Sequence, residues 1–199
     1  MRSENKVHAL IGCVYRGIRN AYDLLIASGW LRSRYPMQAM DRTGKPLPWL
    51  TYPAIEWLKQ SIKPHWKVCE YGVGQSTIWF STRCKVRGVE RNPEWAKRVA
   101  DINACITVQG DRTEYASFAR ASDTLVIIDG NWREDCAKHV CMVKPEMVIL
   151  DNSWDYVAAV EVLRQTYTIE IPFVGFAPGM NIMATTLFLC PRKTSEGSL

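Results

Sequence analysis

Val68-Cys69-Glu70-Tyr71-Gly72-Val73-Gly74-Gln75-Ser76-Thr77 decides the fold of this 199-residue chain. A short apolar run meets an acid and then a Gly-x-Gly turn, and small hydroxyl residues open a new apolar pattern. The spacing predicts a strand over Lys67–Tyr71 and a helix over Ser76–Cys84. Glycine at 72 and 74 lets the backbone turn tightly and approach a ligand with no Cβ in the way.

Outward from this turn, strand-like and helix-like runs alternate. Strands are expected at Lys85–Glu90, Cys105–Gln109, Thr124–Asp129 and Glu146–Asp151. Helices are expected at Pro93–Ala104, Arg112–Ala121, Arg133–Val143 and Asp155–Tyr167, with Asn92-Pro93-Glu94 supplying an N-cap, a first-turn proline and an early acid. This alternation implies a parallel sheet with helices on both faces. Thr168–Phe176 and Met183–Cys190 then form two β-rich runs about the short loop 177–181, an antiparallel hairpin closing the sheet.

In an open parallel sheet, ligands gather at the carboxyl ends of the strands. Acids stand at those ends: Glu70, Glu90, Asp129 and Asp151, with Asp111 after the third strand. Such a rim suits a cationic ligand. The turn and its acid resemble the first motif of the class I, Rossmann-like methyltransferases, and the likeness of motif and architecture spans about residues 46 to 191. The resemblance implies a seven-stranded, mostly parallel sheet and S-adenosylmethionine as cofactor. By it, Glu70 lies near the methionine ammonium, Glu90 accepts from the ribose hydroxyls, and Asp111 sits beside the adenine amine. Tyr71, Gly72, Gly74, Ser76, Thr77, Arg91 and Asp129 complete the cofactor set, with Asp129 as catalytic base or acceptor-orienting group. A nicotinamide or flavin oxidoreductase is the competing enzyme class, but its fingerprint needs a third glycine where this chain has Thr77. A non-catalytic binding protein of the same fold is the other alternative.

Asp129-Gly130-Asn131-Trp132-Arg133 and Leu150-Asp151-Asn152-Ser153-Trp154 form a second constellation. It is similar to the metal-dependent catechol and caffeoyl-coenzyme A O-methyltransferases, which implies Asp129, Asp151 and Asn152 as oxygen ligands for magnesium. The lysine that those enzymes carry three residues after the first acid is Trp132 here. The competing assignment puts Asp129 in the cofactor pocket and leaves Asn152 or Ser153 to cap a helix. Trp49, Trp132 and Trp154 are expected at the cleft, whereas Trp57, Trp66, Trp79 and Trp95 fall inside elements as packing residues.

The chain divides into an N-terminal helix with a basic connection (1–45) and the methyltransferase-like domain (46–199). Val7, Leu10, Ile11, Val14, Ile18, Ala21, Tyr22 and Leu25 stripe a helix over Asn5–Ser28, ended by Gly29. That stripe is expected to cover the domain or to pair two subunits in a homodimer. Residues 31–50 read as irregular, punctuated by Pro36, Gly44, Pro46 and Pro48, and a helix follows from near Thr51 to Ile62. Arg16, Arg19 and Asp23 exclude residues 7–30 as a membrane span, and no leader is expected, so the location expected is cytoplasmic with no membrane partner. With a net charge of +5 and no base-gripping motif, a small-molecule acceptor with O-methylation is preferred to nucleic acid. Seven cysteines without a C-x-x-C pair are expected as free, mostly buried thiols.

Overall fold

In the computed structural model, residues 2–35, 38–99 and 102–191 are described. Pro36, the expected helical positions 100 and 101, the side chains at 2–9 (Val7 included) and the tail 192–199 lie outside them. Helices α1 (Arg2–Ala27), α2 (Trp30–Arg34) and α3 (Tyr52–Ser61) precede the sheet. Then come β1 (Lys67–Tyr71), α4 (Gln75–Ser81), β2 (Lys85–Glu90), α5 (Pro93–Ala96), β3 (Cys105–Val108), α6 (Arg112–Ala116) and β4 (Leu125–Ile128). The chain closes with α7 (Arg133–Val143), β5 (Met147–Leu150), α8 (Val157–Thr166), β6 (Tyr167–Phe176) and β7 (Ile182–Pro191). The strands form one seven-stranded sheet in the order β3-β2-β1-β4-β5-β7-β6. Five strands are parallel, and β7 joins β5 and β6 antiparallel, as the sequence pattern implies.

Because side chains alternate along a strand, the buried central strands feed two cores. Cys69, Tyr71, Val126, Ile128, Val148 and Leu150 pack toward α6, α7 and α8. Val68, Leu125, Ile127 and Ile149 pack on the other face, with Leu58 of α3 and Phe80 of α4. Glu70 shares the parity of Val68, so its carboxylate enters the second face, beneath the first turn of α4.

Three expected helices are shorter than their apolar patterns. α6 stops at Ala116 because the Tyr71 hydroxyl intervenes: it donates to Ala116 O and accepts from Ala119 N. After α5 the chain tightens into a 3-10 turn over Lys97–Val99. α4 ends at Ser81, where Arg83 donates back to Trp79 O and its guanidinium lies 3.9 Å from that indole's centroid. The connection expected to be irregular contains α2 and a turn built on Asp41, whose Oδ1 accepts from Thr43 N and Lys45 N. Gly29 ends α1 at φ 83, and a Cβ there would meet the Asp41 backbone at 2.5 Å.

The α1 stripe does not cover the domain. Leu10, Ile11, Val14, Ile18 and Tyr22 are more than half exposed, and only Leu25, near the junction with α2, is partly buried among the large apolar residues described. Cysteine burial is mixed: all seven thiols are free, Cys69 and Cys136 are buried, and Cys13, Cys105 and Cys190 are exposed. β3 is an edge strand, which leaves Cys105 uncovered.

At the amino end of the sheet, Asp123 is 3% exposed and takes two bonds from the Arg87 guanidinium, which also donates to Phe118 O. Removing one member of such a pair strands the other charge. Asp123→Ala is expected to lower the unfolding free energy by about 3 kcal/mol, read from the urea midpoint.

Candidate functional site

Gly72 sits between the ends of two neighbouring strands. Its N–H donates to Val89 O, while Asp129 N donates to Tyr71 O on the other side. Its φ is 85°, and a Cβ would meet Gly130 Cα at 2.8 Å. Gly130 is equally constrained, with Gly72 N at 2.7 Å and the Tyr115 hydroxyl at 2.0 Å from any Cβ. The turns after β1 and β4 therefore approach each other as bare backbone, and a cavity of about 680 Å³ opens beside them. Gly74 is not required by its protein neighbours, since a Cβ would stand 3.7 Å from the nearest atom, on Trp95. The space it leaves belongs to the cavity.

Two of the expected acids line that cavity, Glu90 and Asp129. Glu90 accepts from Val73 N and Asn92 N, one bond on each oxygen, so the carboxylate is fixed while lone pairs remain for a ligand. Asp129 lies across Gly72 and Gly130 from it. Glu70 is fully buried beneath, and neither of its oxygens finds a hydrogen-bond partner among the described residues. Burial pushes its pKa up to about 7, opposed by the nearby hydroxyls of Thr77 and Ser76. Asp151 is 2% exposed and is reached by the Thr185 hydroxyl at 2.6 Å. Burial, and then the charge of Asp129, raises its pKa above the ordinary carboxylate range.

The other expected residues divide. Gly72, Gly74 and Ser76 line the cavity together with Trp49. Tyr71 and Thr77 are structural: the tyrosine is enclosed in the core, and Thr77 Oγ1 accepts from Gly74 N to fix the turn. Asp111 caps α6, accepting from Thr113 N and Glu114 N, and does not line the cavity. Arg91 also stands outside, its guanidinium 5.0 Å from the centroid of the Trp132 ring. Trp132 packs edge-on against Tyr115, and Trp154 is 57% exposed, so neither joins Trp49 at the wall. Trp95 does, although its helical position reads as packing; its indole N–H donates to Val73 O and Arg98 covers its ring. Gln38, Asn92 and Asn131 are further polar lining residues that sequence reasoning missed.

The expected magnesium ligands are claimed by a side chain. Arg133, 7% exposed, donates from Nη2 to Asp129 Oδ1 at 2.9 Å and from Nη1 to Asn152 Oδ1 at 3.1 Å and to Asp151 O. The Tyr156 ring packs on the guanidinium at 4.2 Å. A fixed monovalent cation thus joins the two constellations, and Asp151 turns instead to Thr185. Among the described residues no group of three or more His, Cys, Asp or Glu side chains is placed to hold a metal. The metal assignment is corrected on this geometry. Asn152 is not a helix cap either: it has φ 51 and precedes α8 by five residues.

No family model matches the chain, and no curated protein matches it in sequence. Among solved structures, the fold aligns with a methyltransferase-like protein from Silicibacter pomeroyi at a TM-score of 0.52 and 14% identity, over 75% of this chain and 92% of that one. The chain has the class I methyltransferase fold. It also aligns with a TehB-like SAM-dependent methyltransferase from Corynebacterium glutamicum (TM-score 0.48, 17% identity, 66% and 83% of the two chains). A third structure is the O-methyltransferase TomG from Streptomyces achromogenes (TM-score 0.46, 19% identity, 62% and 72%). At these identities only the fold is shared.

The buried Glu70 carboxylate gives a pH prediction. Its folded pKa of about 7 lies above the ordinary 4.5, so the folded state holds the proton more tightly. Stability from this group is therefore full below about pH 4.5 and falls until pH passes about 7, by about 3 kcal/mol. Glu70→Gln is expected to flatten that slope and to stabilise the ligand-free protein at pH 8, as read from urea melts across pH.

Proposed function

We propose that this chain is an S-adenosylmethionine-dependent methyltransferase acting on a small hydroxyl-bearing acceptor. The observation that carries the proposal is the charge and shape of one cavity. Carboxylates stand on both sides of a bare glycine turn, and a third, unpartnered, is buried beneath it. A ligand with an ammonium, a sulfonium and ribose hydroxyls complements each of these features. Bound there, S-adenosylmethionine supplies an electrophilic methyl group on a cationic sulfur.

The chain's own residues would act by position. Glu90 is pre-oriented by two backbone amides to accept from ribose hydroxyls, and Gly72 and Gly74 leave the backbone open to close approach. The buried Glu70 charge favours a cation above it, and Ser76, whose hydroxyl is near that carboxylate, lines the cavity. Asp129 offers the cavity an oxygen while Oδ1 is held by Arg133, a geometry suited to receiving a proton from an acceptor hydroxyl. In-line transfer needs little else, because holding the two reactants in alignment supplies most of the acceleration. A dinucleotide cofactor fits less well. Thr77 fills the position where close approach beside a pyrophosphate calls for glycine, and the acids would repel the phosphates.

S-adenosylmethionine or its demethylated product is expected to raise the melting temperature, while NAD and FAD leave it unchanged. At a hundredfold excess over the dissociation constant the stabilisation is about 2.7 kcal/mol, roughly 5–10 °C for a domain of this size. Glu90→Ala should weaken the affinity by roughly 10- to 100-fold in calorimetry. Stabilisation by NAD alone defeats the proposal, and labelled-methyl transfer into a metabolite pool tests turnover. Because Arg133 provides the cation, EDTA is expected to leave that turnover unchanged; a loss restored by magnesium would show the metal assignment to be right after all.

A further inference from the structure

The N-terminal helix is built for a surface that the rest of the chain does not supply. α1 is 26 residues long, ~39 Å at helical rise, and packs chiefly on α2. Leu10, Ile11, Val14, Ile18 and Leu24 gather on one side, each 54–66% exposed. Tyr15 and Tyr22 stand at one border of that side, and Arg16, Arg19 and Asp23 face away from it. Large apolar side chains left in water over about 20 Å of that helix, from Leu10 to Leu24, call for a cover.

Charge selects the occupant. Residues 1–45 contain eight Lys or Arg against three Asp or Glu, a net of +5. The whole chain also carries +5, so residues 46–199 sum to zero. Two copies pairing through α1 would bring both excesses together, whereas an anionic surface neutralises them. Shape points the same way. The apolar arc extends past a two-helix seam to Leu10 and Leu24 on one side and the tyrosines on the other, and a plane covers such an arc more fully than one helix does. No helix among the described residues is long and apolar enough to cross a membrane, so α1 would lie along the interface.

We propose that α1 docks, apolar side down, on an anionic phospholipid surface. The expectation of no membrane partner rested on the absence of a span, and a surface-lying helix escapes that reasoning. The helix is tethered beside the cavity. The Trp30 indole donates to Met180 O at 2.7 Å and Arg34 to Gly179 O, fixing α2 to the β6–β7 loop. That loop stands at the carboxyl edge of the sheet, because β7 runs antiparallel to β5 and its residues before Thr186, the partner of Leu150, extend past the end of β5.

The test is co-sedimentation of the full chain with phosphatidylcholine vesicles with and without phosphatidylglycerol. Binding is expected only where phosphatidylglycerol is present, and added salt should reverse it. The double variant Ile11→Glu with Ile18→Glu should abolish it. Arg16→Gln with Arg19→Gln should weaken it by about 5-fold in all, since both stand on the side turned away from the lipid. All variants should keep the melting temperature and the S-adenosylmethionine shift, so failure here is distinct from failure of the proposed enzyme activity. No binding to the anionic vesicles overturns the proposal, as does binding that survives both glutamates. A dimer in light scattering that those glutamates split, with no vesicle binding, overturns it in favour of self-pairing.

Discussion

Charge balance at the carboxyl edge of the sheet is the constraint on which the site depends. Glu70 and Asp151 are buried there beside Asp129, which borders the cavity, and three ionised carboxylates cannot share such a region without a counter-charge. Arg133 supplies one. Its guanidinium is held by Asp129, Asn152 and the carbonyls of Asp129, Gly130 and Asp151, which satisfies the fork and joins the ends of β4 and β5. One cation covers the charge of Asp129, while Asp151, bonded only by the Thr185 hydroxyl, is pushed by burial and by Asp129 toward its protonated form. The third carboxylate, Glu70, lies under the glycine turn, and there its charge can be relieved either by a proton or by a positively charged ligand. The same imbalance, which costs stability when no cation balances it, suits the cationic ligand proposed for the cavity.

The fold was legible because its signals are local and repeated. Alternating apolar runs, the Asn92-Pro93-Glu94 helix start and the final pair of β-rich segments each state their element, and parallel topology follows from the order alone. Element ends were less legible because distant groups set them. α6 stops where a tyrosine from β1 caps it, and no window around residues 112–121 contains that tyrosine.

The site was legible in part, for the same reason. Acids at strand ends can be found by counting, but whether an acid faces a cavity, a core or its own helix depends on the side chain's direction. Asp111 has the motif spacing and yet turns to cap α6; its preceding strand is at the sheet's edge, and nothing packs it inward. Gly130 carried a signal that went unused, since a glycine directly after a strand-end acid is what close approach to a second glycine turn requires. Arg133 was visible as the residue after the missing lysine. Its role shows only once α7 brings it back across the ends of both strands, where a single side chain replaces an expected ion.

Trp49 joins the site to the segment before it. Its indole donates to Pro178 O at 3.0 Å, on the loop whose next two carbonyls receive Arg34 and Trp30, and its ring lines the cavity with Gln38. Three successive carbonyls of one loop are thereby used by the N-terminal third of the chain. A loop so occupied is tied directly to the tryptophan wall. The basic connection is consequently a part of the cavity, and whatever holds α1 in place also bears, through α2 and residues 178–180, on the shape of the pocket in which an acceptor would sit.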